Sequence, residues 1–315
     1  MDRFRAGKIT GVSFLVILAL FAGWMFRHSI TGMVHRFSLP KRDPAPEGTI
    51  RFAVIGDYGS GSPLERNVAQ MIDSWKPDFI ATVGDNFYPG GEDTFDTNIG
   101  RFYHAYIFPY KGRFGSGAPF NRFFPTPGHR DWDTDMLRPY LEYFSLSDRQ
   151  RYYDIVRGPV HLFMLDTDER EPDGATVDSV QGRWLRRGLS ESTAPWKLVF
   201  SHHAPYTSHQ VEDIYRMRWP FRDWGADAVL SGYFHVYERL LVDGIPYFVN
   251  GTGGTWVSHF GEIDPHSRFR YDGGFGAMLV DATASRILFR FVTSEGRILD
   301  EFELFHDLPS GRPRP

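Results

Sequence analysis

Short apolar runs alternate with amphipathic stretches through most of this chain. Ile50–Ile55, Phe79–Val83, Arg122–Thr126, Val160–Leu165, Lys197–Phe200 and Ala228–Leu230 are brief hydrophobic runs bounded by turn formers, the pattern of strands buried on both faces. Between them, Pro63–Trp75, Thr94–Ile107, Val177–Leu189 and Asp213–Trp224 read as helices or helical loops. Later, Arg239–Val249 turns at Asp243-Gly244 and Ile287–Leu304 turns near Glu295-Gly296, which predicts two antiparallel hairpins. Alternating units followed by hairpins predict an α/β fold whose sheets are covered by helices on their outer faces.

The N-terminus follows a different pattern. Arg3, Arg5 and Lys8 precede an uncharged stretch from Ile9 to Phe26, closed by Arg27. As a helix that stretch is about 27 Å long at 1.5 Å per residue, close to a hydrocarbon core of about 30 Å. A cleavable signal peptide is the competing reading. Its small-x-small cleavage site is poorly matched, because Leu20-Phe21-Ala22 places a large residue at a key position. An uncleaved anchor over residues 1–37, spanning about 9–26, is the expectation. Basic residues on both sides (Arg27, Arg36, Lys41 and Arg42 follow) leave its orientation open. Residues 38–48 (SLPKRDPAPEG) read as a stiff linker, 49–305 as one domain, and 306–315 as a disordered tail.

Composition then narrows the chemistry. The 315 residues contain no cysteine, which removes disulfides, thiolate metal sites and a cysteine nucleophile. With 35 basic against 39 acidic residues, the chain lacks the basic excess that nucleic-acid binding requires. Any metal chemistry must run on oxygen ligands and the twelve histidines.

Those ligands collect at strand ends. Successive runs stop in Gly56-Asp57-Tyr58-Gly59, Gly84-Asp85-Asn86-Phe87-Tyr88, Pro127-Gly128-His129-Arg130-Asp131, Ser201-His202-His203 and Ser231-Gly232-Tyr233-Phe234-His235. Ligands of α/β sheets bind outside the carboxyl ends of strands, so these clusters should converge on one edge. Carboxylates, imidazoles and phenols together suit a hard or borderline divalent or trivalent metal. Singly, each cluster has an ordinary explanation: Gly-Asp pairs make tight turns, lone histidines sit on surfaces, and tyrosines pack. Five of them, in order, each closing an apolar run, are harder to dismiss.

That ordered set resembles the calcineurin-like metallophosphoesterases, and most closely their purple (tartrate-resistant) acid phosphatase branch. GDYG, GDNFY, a G-x-x-D turn, VFSH, and G-x-x-H followed by Val236-Tyr237-Glu238-Arg239 carry the resemblance. Leu165-Asp166-Thr167-Asp168, Gln181 with Trp184-Leu185, and Gly251-Thr252-Gly253-Gly254 extend it. It implies a four-layer αββα sandwich of two mixed sheets, here preceded by one transmembrane helix. It also implies two metal ions about 3.5–4 Å apart, bridged by one carboxylate.

Position by position, the resemblance implies a complete first site of Asp57, Asp85, Tyr88 and His235, with the tyrosine marking the branch that holds ferric iron. The second site departs from the pattern. Asp85 can bridge and His202 matches VxxH, but His129 stands where the family has asparagine, and Tyr233 replaces the first histidine of GHxH. Either a second ion (iron, zinc or manganese) persists with Asp85, His129, His202 and Tyr233, or one structural metal remains. Arg130 replaces the histidine of GNH(D/E), which commonly protonates the leaving oxygen. A guanidinium cannot act as an acid near neutral pH, although it can clamp phosphate oxygens. His203 and His209 are the nearby candidates for the acid; a supporting or surface role for His203 is equally open.

Two functions follow from the resemblance. The first is hydrolysis of a phosphorylated small molecule, a phosphomonoester or anhydride with a good leaving group, by metal-bound hydroxide. The second is a degenerate phosphatase serving as a membrane-tethered binding or assembly subunit. Together with an anchor, the resemblance implies a domain facing a periplasmic or extracellular space. Asn250-Gly251-Thr252 matches a glycosylation sequon but coincides with the Gly-rich strand end, and reads as structural.

Overall fold

The structure is a computed structural model and describes residues 48–88, 94–146, 150–209 and 216–306. All of these belong to the compact unit Ala45–Pro315. No helix among the described residues is long and apolar enough to cross a membrane. The anchor expected at 9–26 lies outside the described residues.

Thirteen strands form two mixed sheets among the described residues. The first sheet contains β1 (Ile50–Ile55), β2 (Phe79–Thr82), β3 (Phe123–Phe124), β11 (Gly276–Ala282), β12 (Arg286–Thr293) and β13 (Ile298–Phe305), in the order β13-β12-β11-β1-β2-β3. The second contains β4 (Tyr153–Arg157), β5 (Val160–Met164), β6 (Trp196–Ser201), β7 (Ala228–Ser231), β8 (Tyr237–Val242), β9 (Ile245–Asn250) and β10 (Ser267–Tyr271), in the order β10-β8-β9-β7-β6-β5-β4. In the first sheet β1, β2 and β3 run parallel, and in the second β5, β6, β7 and β9 do. The remaining neighbours are antiparallel.

Apolar runs account for this stacking. β1 is buried on both faces: Phe52 and Val54 enter the core between the sheets, while Ala53 and Ile55 face the other way. The inter-sheet core joins Phe52, Phe79 and Phe291 of the first sheet to Leu162, Phe200 and Phe248 of the second. Stacked rings reinforce it, Phe52 on Phe79 at 4.8 Å and Tyr237 on Phe291 at 4.0 Å. Outside the first sheet, helix α1 (Pro63–Ser74) buries Val68, Ala69, Met71 and Ile72. Ser62 caps its start by accepting a hydrogen bond from the Glu65 amide, and Pro63 fits the first turn because its missing N–H would have no partner there. Two short helices follow the end of β3, α2 (His129–Asp133) and α3 (Arg138–Tyr143). Outside the second sheet, α4 (Val180–Glu191), capped by Ser179, buries Leu185 and Leu189.

Both predicted hairpins are present, β8–β9 and β12–β13. Asp243 and Gly244 adopt positive φ (51° and 86°), as a tight turn matching the sheet twist requires. Several expected elements are shorter. The third strand narrows to Phe123–Phe124, because Pro125 cannot continue the ladder. Thr94–Ile107 breaks into successive short turns of different helical pitch, Asp96–Gly100, Arg101–Tyr103 and His104–Tyr106. Of the run Asp213–Trp224, the helix covers Phe221–Trp224 (α5), and 210–215 lie outside the described residues. The pattern did not place β4, β10 or β11. The last sits beside β1 in the middle of its sheet, its apolar run hidden behind the glycines at 273, 274 and 276.

One polar tie joins the sheets directly. Asp300 on β13 accepts two hydrogen bonds from the Arg239 guanidinium on β8 (2.7 and 2.9 Å) and one from the Tyr237 hydroxyl (3.0 Å). Both of its donors follow closely on His235, so the tie steadies the strand that leaves the site. Asp300→Ala would leave an arginine largely buried without its counter-charge, and should destabilise the fold by about 3 kcal/mol. A urea melt checks this: the midpoint should fall with the slope unchanged.

Candidate metal centre

All five polar clusters leave the carboxyl ends of parallel strands: β1, β2 and β3 in the first sheet, β6 and β7 in the second. The loops after β1 and β2 run side by side, with the Asp57 and Tyr58 amides donating to the Gly84 and Asp85 carbonyls (3.1 and 3.2 Å). Asp57 and Asp85 both take left-handed backbone (φ 54° and 48°), which aspartate tolerates better than most residues. Both carboxylates are fully buried. Glycine lets the loops approach. A Cβ on Gly84 (φ +91°) would lie 2.4 Å from His202 Nδ1, and one on Gly128 would lie 2.1 Å from the Asp85 nitrogen.

The Asp85 carboxylate faces two sets of donors at once. On one side His202 Nε2 is 3.2 Å from Oδ1, His129 Nδ1 is 3.3 Å from Oδ2, and the two ring nitrogens are 3.0 Å apart. One ligating atom from each of Asp85, His129 and His202 falls within 4.8 Å of the others, the spacing of a metal site. On the other side the Tyr88 hydroxyl donates to Asp85 Oδ2 at 3.0 Å, and lies 3.3 Å from Asp57 Oδ1 and 3.4 Å from His235 Nε2. His235 Nε2 is 3.5 Å from Asp57 Oδ1, which closes the second set.

Outer contacts orient these rings. His202 Nδ1 is 3.0 Å from the Val83 carbonyl, which can only accept, so that nitrogen carries a proton and Nε2 turns to Asp85. His235 Nδ1 is held by Thr255 Oγ1 (2.9 Å) and the Trp256 carbonyl (3.2 Å), leaving Nε2 toward Tyr88 and Asp57. Histidines that bind metal are usually held this way through the other nitrogen.

Electrostatics point the same way. Burial pushes Asp57 well above the usual carboxylate range, and the Asp85 charge adds to this against the pull of His202. Burial also acts on Asp85, but His202, His129 and the Arg130 amide overcome it and hold that carboxyl well below the usual range. His202 is raised to about 9: burial opposes the shift and Asp85 drives it. Burial lowers His129, and lowers His235 to about 4. The Tyr88 phenol is pushed far up by burial and by both carboxylates. Two carboxylates, a phenol and three imidazoles buried together are costly unless opposite charges sit among them. A bound cation would add positive charge beyond that of His202, and the donor set fits one.

The calcineurin-like phosphoesterase sequence model matches residues 50–237, a segment that contains every one of these residues. The chain belongs to the calcineurin-like phosphoesterase family. Among curated proteins it is similar to purple acid phosphatase 7 of Arabidopsis thaliana, 23% identical over 93% of this chain and 97% of that protein. Tartrate-resistant acid phosphatase type 5 of Rattus norvegicus is 23% identical over 86% of this chain and 93% of its own length. The fold is shared with a structure titled GAP50, the anchor in the inner membrane complex of Plasmodium (TM-score 0.63, 18% identity, 82% of this chain and 90% of that one). It is shared too with purple acid phosphatase PPD1 from yellow lupin seeds (TM-score 0.62, 17% identity, 82% of this chain and 54% of that one).

In this family member the remaining expected residues separate. The Arg130 amide donates to Asp85 Oδ1 at 2.9 Å, and its guanidinium carbon lies 5.9 Å from the centre of the Tyr88 ring. The Tyr233 ring packs on His129, His202 and His203 (5.2, 5.4 and 4.7 Å), and its backbone amide donates to Asp57 Oδ2 at 3.0 Å. His203 Nδ1 meets Thr167 Oγ1 at 2.8 Å, and burial holds its pKa well below the ordinary value. His209 lies tilted over Phe234, the residue before His235, at 4.7 Å, and its Nδ1 is buried with no hydrogen-bond partner among the described residues. The sequon Asn250 is buried, donating to the Val54 carbonyl at 2.9 Å, so it serves the fold as expected.

Sequence reasoning missed the staple beneath the site. The buried Asp131 carboxylate accepts from the Gly128 amide (2.8 Å), the Asn86 amide (3.1 Å) and the Asn86 side chain (2.8 Å), tying the β2 loop to α2. Burial and the nearby Asp85 raise Asp131 to about 7. Both residues stood inside quoted motifs, but spacing alone carries no sign of their pairing. Gly84→Ala should drive the His202 ring from its place while leaving Asp57, Tyr88 and His235 together. Elemental analysis after zinc dialysis should then show at least a tenfold weaker site at His129 and His202, as loss of ligand positioning typically costs roughly 10–100-fold in affinity.

Proposed function

We propose that this chain is a metal-dependent phosphoesterase, tethered to a membrane through residues 9–26, that hydrolyses phosphomonoesters or anhydrides in a periplasmic or extracellular space. The observation that carries the reading is Asp85, one buried carboxylate whose two oxygens meet a donor set on each side. Asp57, Asp85, Tyr88 and His235 would hold a first ion, and Asp85, His129 and His202 a second, with Tyr233 walling the second pair. Phenol and carboxylates are hard ligands, which favours ferric iron in the first place; imidazoles favour iron, zinc or manganese in the second. Bound there, such ions acidify water and offset charge on phosphoryl oxygens.

The chain's own residues supply the rest. Arg130 offers a planar guanidinium fork to two phosphoryl oxygens, stabilising charge that grows as the ester bond breaks. It cannot protonate the leaving oxygen. His203, held neutral by burial and anchored to Thr167, offers an N–H for orientation rather than a strong acid. Substrates whose leaving groups need no proton therefore suit the site best, since losing a general acid costs roughly 10²–10⁴ in rate for the others.

A second reading, a non-hydrolytic assembly subunit, draws on Arg130 and Tyr233 standing where the family has histidines. The fold shared with a protein described as a membrane-complex anchor also favours it. Elemental analysis and turnover of an aryl phosphate separate the two. Two metals per chain with turnover are expected, and Arg130→Ala should lower kcat/KM about 100-fold with metal content unchanged. No more than one metal, and no turnover even in His129→Asn/Arg130→His, would overturn the phosphoesterase reading in favour of the second.

A further inference from the structure

The loop after β9 delivers an exposed tryptophan to the mouth of the metal centre. Thr255 Oγ1 bonds the Asp57 carbonyl (3.1 Å) and His235 Nδ1 (2.9 Å), which fixes the loop against two of the proposed ligands. The next residue, Trp256, therefore lies along the site. Its ring stacks on His235 at 4.0 Å and 19°, and meets Tyr88 edge to face at 5.3 Å and 84°.

Trp256 nonetheless keeps 47% of its surface in solvent, the one exposed tryptophan among the described residues. A large aromatic surface left in water forgoes the stabilisation that burying it would bring. Its indole is no ligand, since its nitrogen only donates. What it offers is a flat, electron-rich surface with one face on His235 and the rest open.

Its placement relative to Arg130 is informative. Both border the Tyr88 ring, the guanidinium carbon 5.9 Å and the Trp256 ring 5.3 Å from its centre. The site thus carries an anion clamp and an aromatic surface beside the same proposed ligand. We propose that Trp256 is a specificity-determining residue: a stacking platform for the aromatic ring of a phosphoester's leaving group, selecting aryl esters over aliphatic ones. The proposal rests on the phosphoesterase reading for the word leaving group, but its binding claim does not need turnover. An aliphatic ester has no π face and gains nothing from the platform. Stacking of a planar ring on an aromatic side chain strengthens binding by roughly tenfold, and the aryl leaving groups it would collect are also those that need no proton.

The competing role is a cover that only holds the His235 ring in place. Calorimetry with phenylphosphonate and methylphosphonate, neither of which can lose its carbon group by ester hydrolysis, distinguishes the two. The solubilised full-length chain loaded with iron and zinc should bind phenylphosphonate at least tenfold more tightly. In Trp256→Ala that preference should vanish, with the phenylphosphonate Kd rising about tenfold and methylphosphonate moving less than twofold. Trp256→Phe should keep most of the preference, and the metal content and visible absorbance of both variants should match the parent chain. Equal weakening of both phosphonates, a shifted absorbance, a parent chain without preference, or failure of either phosphonate to bind would overturn the platform. Failure to turn over any aryl phosphate, with the phosphonate preference intact, would instead strike the hydrolytic reading alone.

Discussion

A carboxylate buried where two loops from one sheet meet a third loop and a strand end from the other has no water to stabilise its charge, and everything around Asp85 answers that deficit. His202 and His129 approach one edge and the Tyr88 hydroxyl another, while the Arg130 amide adds a fourth contact. Remove any one and the remaining partners face an under-compensated charge in a low-dielectric interior. Asp57, a few ångströms away through Tyr88, multiplies the demand, and its own raised pKa records how poorly the protein alone meets it. A cation is the economical answer to that arrangement.

The fold makes such crowding possible by keeping the surrounding backbone bare. Gly84 and Gly128 each stand where a Cβ would strike a neighbouring ligand loop, so the Gly that opens each motif is there for approach as well as for turning. Beneath, Asp131 and Asn86 hold the loops in register, and the Asp300–Arg239 tie secures the strand that carries the chain away from His235. The two-sheet stack thus provides fixed strand ends from which the loops carrying Arg130 and Trp256 depart.

Departures from the family pattern look coordinated when seen in space. His129, occupying the asparagine position, brings its Nδ1 within 3.0 Å of His202 and so adds an imidazole on the side where Tyr233 withdraws one. Tyr233 then packs its ring across three histidines, replacing a ligand with a wall.

The chain alone determined a good deal. Continuous apolar runs identified β1, β2 and β5–β7, because strands buried on both faces need no polar alternation, and the Asp-Gly turn identified the β8–β9 hairpin. The runs of β1, β2, β3, β6 and β7, leading into Gly-Asp or a histidine, marked the candidate ligands by their chemistry. Tertiary structure decided the rest. β11 was hidden because its place at the centre of a sheet depends on pairing with β1, more than two hundred residues earlier. That Asp85 faces both donor sets, that His203 leans on Thr167, and that Asp131 binds Asn86 are likewise contacts between distant segments. Trp256 gave no signal in one dimension. Only the Thr255 bonds to Asp57 and His235 bring it to the site, since side-chain identity is local while packing is not.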